Sequence, residues 1–179
     1  MTEVVWYGRG GQGAFTAARL LGLSASIYGG SYALAFPSFG PERRGAPVFG
    51  YTKIDCNPIH DRSETTRADY CIVLDDTLLD GGTIPLKEGG TLIINTARSN
   101  TRYGNSFRVV TLDATRLAEA VIGVPIVNTS LLGAFVAVSN VLPYEAAIDG
   151  IISEMKTRAD KNITLFSISY GAVLSGASL

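Results

Sequence analysis

Residues 8–13 read Gly-Arg-Gly-Gly-Gln-Gly, set between the apolar run Val4-Val5-Trp6-Tyr7 and a helix-forming stretch that begins near Ala14. That succession of strand, glycine turn and helix constrains the fold more than any other segment does. Such a turn directs backbone N–H groups and the positive end of a helix dipole at one spot, which suits an anion, phosphate above all. Gly8, Gly10 and Gly13 also keep the G-x-G-x-x-G spacing of dinucleotide sites. There the match stops. A dinucleotide site needs an acidic side chain about 20 residues further on, at the end of the second strand, to hold the ribose hydroxyls. The second strand is predicted at Ser31-Tyr32-Ala33-Leu34-Ala35-Phe36 and runs into Pro37-Ser38-Phe39. The first carboxylate is Glu42, inside Gly40-Pro41-Glu42-Arg43-Arg44-Gly45-Ala46-Pro47. Arg43 and Arg44 suit a further phosphate, or the carboxylates of another chain, better than a ribose hydroxyl. The loop is thus a site for a phosphorylated ligand other than NAD, or a turn packed against a partner; NAD is the weakest reading.

Composition points towards a covered surface. Of 179 residues, 46% are hydrophobic and only 17% charged, little charge for a domain that stands alone in water. A subunit of a larger assembly is expected. The formal net charge of −1 provides no basic field for nucleic acid. Cys56 and Cys71 are the only cysteines and His60 the only histidine. Iron–sulfur clusters and structural zinc normally take four protein ligands, so this chain alone does not supply such a site. Cys71, in Tyr70-Cys71-Ile72-Val73-Leu74, reads as a buried thiol. His60 reads as a solvated loop residue. The uncharged stretch from Val121 to Leu142 raises a membrane span, but Pro125, Asn128, Thr129, Ser130, Ser139 and Asn140 interrupt it. A strand Pro125-Ile126-Val127 followed by a buried helix from about Ser130 accounts for it better. The N-terminus lacks a basic region and enters a strand almost at once, so a cytoplasmic protein is expected.

Further strands are predicted at Val48–Ile54, Ala68–Asp75, Thr91–Asn95 (introduced by a Gly89-Gly90 turn) and Phe107–Leu112. Helices are predicted at Ala14–Tyr28, Ala114–Ile122, Leu131–Val138, Tyr144–Met155 and Lys161–Leu174. The segment between strands two and three is too short and too rich in proline for a crossover helix, which makes those strands a hairpin or an irregular pair. Alternation elsewhere predicts one α/β domain over residues 1–179, three-layered, with a mainly parallel sheet. Asp75-Asp76, just past a strand, is expected to cap the helical turn ahead of Leu78-Leu79 rather than to hold a metal. Asn95 and Asn128 are expected at the same sheet edge, with Asn128 either a helix cap or a ligand contact. Tyr7, Phe36 and Phe39 are read as core, with an adenine or a subunit interface as the alternative. No nucleophile–base pair emerges, so the expectation is a subunit that binds and scaffolds.

The segments Tyr7–Ala14, Ala35–Val48 and Leu74–Leu79, in this order and spacing, resemble the gamma subunit of 2-oxoacid:ferredoxin oxidoreductases, of which pyruvate:ferredoxin oxidoreductase is the best-known member. The likeness runs from residue 3 to about residue 140, continued by Asn128-Thr129 and Leu132-Gly133-Ala134. It implies a complex that oxidatively decarboxylates a 2-oxoacid, passes electrons to ferredoxin and usually passes the acyl group to coenzyme A. It also implies alpha, beta and delta type partner subunits, which hold thiamine diphosphate and iron–sulfur clusters of the four-iron, four-sulfur type. In this chain it implies that Gly8, Arg9, Gly10, Gly11, Gln12 and Gly13 face the phosphates of coenzyme A, with no metal site and no catalytic group. Arg43, Arg44 and Asn128 extend that site on grounds of charge and placement. Relatives that act on oxalate resemble these loops yet transfer nothing to coenzyme A, so a purely structural subunit is the alternative the resemblance leaves. Aromatic and branched-chain 2-oxoacid enzymes resemble them as well.

Overall fold

The structure is a computed structural model that describes residues 1–38, 45–81, 83–98 and 107–176. Phe39, Arg43 and Arg44 lie outside the described residues. Six strands form one sheet in the order β2-β3-β1-β4-β5-β6. They are β1 (Thr2–Arg9), β2 (Tyr32–Pro37), β3 (Pro47–Asp55), β4 (Ala68–Val73), β5 (Leu86–Asn95) and β6 (Arg108–Leu112). β1, β4, β5 and β6 pair in parallel; β3 runs antiparallel to both β1 and β2. The mainly parallel α/β fold and the irregular second and third strands are as the sequence predicts. What the pattern does not show is that β3 slots between β1 and β2. In a dinucleotide fold β1 and β2 are neighbours. Here the end of β2 is a strand further from the glycine turn, which removes the NAD reading's geometric basis.

Alternation of side chains divides the core in two. Val4, Trp6, Ile72 and Ile93 face one cluster; Val5, Tyr7, Cys71, Val73, Leu92 and Ile94 face the other. The five α-helices among the described residues all feed the first cluster: α1 (Ala14–Leu23), α2 (Ala114–Ile122), α3 (Asn128–Ser139), α4 (Tyr144–Met155) and α5 (Ala159–Ser175). The second is closed by the 3-10 turn Asp76–Leu79 and by side chains such as Phe36, Phe49 and Ile84; among the described residues no α-helix covers that face, where the sequence pattern predicts a third layer. Cys71 is fully buried, and burial pushes its thiol up to about 12, which leaves it an unreactive core residue. Tyr7 is buried too, stacked on Phe49 with ring centroids 4.5 Å apart.

Several boundaries differ from the expectation, three of them with a structural consequence. α1 ends at Leu23 and continues as a π-helical turn over Ser24–Tyr28. β5 starts at Leu86 and passes through Gly89-Gly90, where Gly89 has φ +74° and the pairing with β4 jumps from Ala68↔Leu86 to Tyr70↔Thr91. The glycines make a bulge inside the strand rather than a turn before it. Residues 125–127 form no strand, and α3 begins at Asn128. Pro125 and two β-branched residues imitate a strand, but the sheet ends at β6 and offers them no partner. α3 is 12 residues long, and no described helix is long and apolar enough to cross a membrane.

α1 reaches the sheet through a glycine. A Cβ on Gly50, which pairs with Trp6 across β1 and β3, would lie 2.8 Å from the Ala14 carbonyl oxygen and 3.0 Å from the Ala18 Cβ. The first turn of α1 therefore rests on β3 backbone. Gly50→Ala is expected to cost about 1–3 kcal/mol through overpacking, measured by urea unfolding.

At the opposite end of the sheet Lys53 is fully buried on β3. Its Nζ lies 2.6 Å from Asp61 Oδ2 and 3.5 Å from Glu3 Oε1, which straps the segment 56–67 to the sheet. The hydrogen bond from Lys53, then those from Ser63, hold the Asp61 carboxyl well below the usual carboxylate range. A lowered folded-state pKa gives stability that is present above the unfolded value, about 4, and is lost as pH falls through the folded one. Thermal melts from pH 7 to pH 3 should therefore show the wild type losing stability below about pH 4 more steeply than Asp61→Asn.

Candidate functional site

β1 leads its helix towards β2 and β3, whereas β4 leads the chain towards β5 and β6. The gap between their C-terminal ends is the topological switch point, where open α/β sheets bind ligands. The glycine turn forms one wall of this gap and Leu74–Leu79 the other.

Across it, Arg9 and Gln12 grasp Asp75. Arg9 Nε and Gln12 Nε2 both donate to Asp75 Oδ2 at 3.0 Å. Arg9 Nη2 donates to Thr77 Oγ1 at 2.8 Å, and Arg9 Nη1 to the Gly45 carbonyl at 3.2 Å. Asp75 Oδ1 caps the following 3-10 turn, accepting from the Thr77 backbone N–H at 3.1 Å. Burial alone would raise the Asp75 pKa; the hydrogen bonds from Thr77, Gln12 and Arg9 outweigh it and hold the carboxyl below its ordinary value. The turn is pinned internally as well. Gln12 Oε1 accepts from the Arg9 N–H at 2.8 Å, and the Gly10 N–H donates to the Ala46 carbonyl at 2.8 Å. Not every amide of the loop is free, contrary to the simplest picture of such a turn, because residues 45 and 46 pair with it.

What the loop presents is the start of α1. Gly13 occupies the N-cap position with φ +84° and brings no capping side chain. The amides of the first turn, Ala14–Thr16, have no intrahelical acceptor. Gly11 has φ +96°, with open space where a Cβ would stand. Opposite Gly13 lies Asn128: a Cβ on Gly13 would be 2.7 Å from Asn128 Nδ2. Asn128 is 5% exposed, yet its Oδ1 has no hydrogen-bond partner among the described residues. A buried, unpaired amide oxygen is costly and uncommon in folded proteins. Asn128 does not cap α3, whose N-cap is Val127 and has no side-chain cap bond.

The structure thus brings Gly8 to Gly13 and Asn128 together. Asn95 behaves differently. Its Nδ2 donates to the Leu74 carbonyl and to Thr115 Oγ1, both at 2.9 Å, and its Oδ1 accepts from the Thr115 N–H, so it knits β4, β5 and α2. Asp76 accepts from Thr96 Oγ1 at 2.6 Å. Beside them a polar groove of about 380 Å³ carries Asp75, Asp76 and Asp113 against Arg98 alone, an acidic lining that disfavours phosphate. No three His, Cys, Asp or Glu residues among the described ones are grouped to hold a metal. Sequence reasoning missed Gly50, which seats α1, and the clasp on Asp75. A Gly inside a predicted strand was the available signal for the first; the second joins residues too far apart in sequence to be seen.

Asp75→Ala removes acceptors from Arg9, Gln12 and Thr77 together. It is expected to lower stability by about 1–3 kcal/mol in urea unfolding, more than Thr77→Ala, which leaves the Arg9 and Gln12 bonds to Asp75 intact.

Comparison with known proteins agrees with this architecture. The family model for pyruvate ferredoxin/flavodoxin oxidoreductase matches residues 3–172. The pyruvate synthase subunit PorC of Methanocaldococcus jannaschii is 41% identical over 97% of this chain and 98% of its own. The common gamma subunit of the pyruvate/ketoisovalerate oxidoreductases of Thermococcus litoralis is 40% identical over 84% of this chain and 85% of its own. The crystal structure of pyruvate oxidoreductase subunit PORC from Thermotoga maritima superposes with a TM-score of 0.80 at 32% identity, covering 95% of each chain. The chain belongs to the pyruvate ferredoxin/flavodoxin oxidoreductase family, as a subunit of its gamma, or PorC, type.

Proposed function

We propose that the complex containing this chain oxidatively decarboxylates pyruvate or a related 2-oxoacid, passing electrons to ferredoxin and the acyl group to coenzyme A. The chain's own share is to hold the phosphates of coenzyme A on the glycine turn and to bind the neighbouring subunits. Thiamine diphosphate and the iron–sulfur clusters belong, on this reading, to the alpha, beta and delta type partners, and the chain by itself is not catalytic. The names carried by its relatives, pyruvate synthase and pyruvate/ketoisovalerate oxidoreductase, support the substrate class. The two dispersed cysteines and single histidine support leaving the redox centres to partners. On this reading the complex is cytoplasmic.

One observation carries the phosphate reading: an uncapped helix start at a topological switch point, faced by the unpaired Asn128 amide. Arg9 and Gln12 act on the ligand through the loop, since their side chains are engaged with Asp75. The backbone of Gly11, Gln12, Gly13 and the residues after it makes the direct contact, with Arg43 and Arg44 as further cations.

That same engagement favours a second reading. A turn already satisfied by Asp75, Gly45 and Ala46 stands without a ligand, as a purely structural subunit requires.

Gly11 separates the two. Because its Cβ direction is open, Gly11→Asn and Gly11→Asp share the strain of φ +96° and differ in charge alone. In the assembled complex the aspartate is expected to raise KM for coenzyme A about 10–100-fold above the asparagine variant, corresponding to the loss of about 1.5–3 kcal/mol. Equal KM values for the two variants would establish the structural reading.

A further inference from the structure

β2 is one outer edge of the sheet, and it lacks the features that usually protect an edge. Its residues, Tyr32-Ala33-Leu34-Ala35-Phe36-Pro37, carry no charge and pair with β3 without a bulge, and none of them is buried. The opposite edge, β6, opens on the exposed Arg108.

The register shows which backbone groups of β2 are open. In an antiparallel pair, opposed residues alternate between those that exchange hydrogen bonds and those that do not. Ser38, one step beyond the Pro37↔Gly50 pair, opposes Phe49 and donates its N–H to the Phe49 carbonyl at 2.9 Å. Counting back in twos, Phe36, Leu34 and Tyr32 turn their backbone groups towards β3. Ala33 and Ala35 turn theirs out of the sheet, where neither bonds to a described residue. The ladder of open donors stops at both ends: Pro37 has no N–H, and the Ser31 N–H is given to the Ala25 carbonyl at 3.0 Å.

We infer that β2 pairs with β2 of a second copy of this chain, antiparallel about a two-fold axis at Leu34, so that one sheet runs through both copies. Ala33 of each copy then opposes Ala35 of the other and exchanges both bonds with it, which satisfies the open donors of the edge. Any strand could satisfy the backbone; the side chains select a copy of β2 itself. On the face turned away from the α-helices, Tyr32 meets Phe36 of the second copy and Leu34 meets Leu34. These are non-hydrogen-bonded positions, where opposed side chains come closest and aromatic pairs stabilise a sheet. On the helix face Ala33 and Ala35 are small, as the close approach of α1 requires: a Cβ on Gly22 would lie 3.1 Å from the Ala35 Cβ. No like charges oppose each other across the axis. The pairing also covers Tyr32, which is 51% exposed, and Ile27, 67% exposed on the adjoining π-helical turn, adds apolar surface at the end of the same edge. Two complexes are thus joined through this chain, whatever the glycine turn binds.

Cysteine cross-linking in the assembled complex reads the register. A Cys56→Ser background removes the exposed thiol and leaves the buried Cys71. In it, Leu34→Cys places two thiols opposite each other at a Cα separation of about 4.5 Å, within the range of a disulfide. Mild oxidation should convert most of the chain to a species of twice its mass on a non-reducing gel. Tyr32→Cys, which opposes Phe36 and not itself, should give about tenfold less of that species, and adding Phe36→Cys should restore it. Ala35→Pro removes an N–H that β3 does not use, which an edge strand tolerates, and should lower the Leu34→Cys yield about tenfold. The proposal is overturned by several results: no linkage from either Leu34→Cys or Tyr32→Cys/Phe36→Cys, equal linkage from Leu34→Cys and Tyr32→Cys, or a yield that Ala35→Pro leaves unchanged. Linkage of Leu34→Cys to a different polypeptide overturns it in favour of a strand from another subunit.

Discussion

Asp75 accepts four hydrogen bonds, two on each carboxylate oxygen: from Arg9 Nε and Gln12 Nε2 on one, and from the Thr77 backbone N–H and Oγ1 on the other. The glycine turn and the β4 exit are far apart in sequence, and this group makes them one body. Without it, a turn with positive φ at Gly11 and Gly13 would keep its backbone bonds to residues 45 and 46 and the bonds between Arg9 and Gln12, but would lose its carboxylate anchor on the β4 side. Glycine gives the turn its shape at the cost of conformational freedom. Arg9 and Gln12 remove that freedom again, and the start of α1 is aimed in one direction before any ligand arrives.

This assigns charge and geometry to different parts of the site. An arginine beside a glycine loop invites the reading that its guanidinium meets the phosphate. Here three of its nitrogens are committed to protein acceptors, and Asp75 offsets its charge. On the proposed reading, attraction for an anion then comes from backbone: the helix-start amides and their dipole, which need no reorganisation when a ligand binds.

Much of the fold was legible because its signals are local. The boundaries of α2 and α4 follow from Asp113 ahead of Ala114, Gly123 after Ile122, and Pro143 ahead of Tyr144, and the structure gives the same bounds. The place of β3 was not legible, since nothing in Pro47–Asp55 states whether β1 or an outer edge is its second partner. Pro125-Ile126-Val127 misled because β-branched residues favour strands in general, whereas a strand exists only where a neighbour has free hydrogen-bonding groups. At the site, the glycine spacing located the turn. Asn128 could be named but not assigned a role, because its contact with Gly13 spans more than a hundred residues. Gly50 passed unnoticed as one glycine in a strand.

The low charge of the chain has a structural counterpart in these assignments. Ile27, Tyr32, Ile152, Ile168 and Leu174 are large apolar side chains left exposed, and they are spread over the π-helical turn, the edge strand β2, α4 and α5. Val124 and Ile126, exposed as well, line a cavity between α2, α3 and α5, and none of these five does. They are better matched to protein neighbours, as expected for one subunit of a complex, where apolar surface stays favourable only if it is covered. The chain then serves two surfaces at once. One is the sheet's C-terminal edge, where the proposed anion site lies at the start of α1. The other is the apolar exterior, which is suited to covering by neighbouring subunits of the complex. Because Asp75 fixes the turn, the first surface is formed by contacts within the chain.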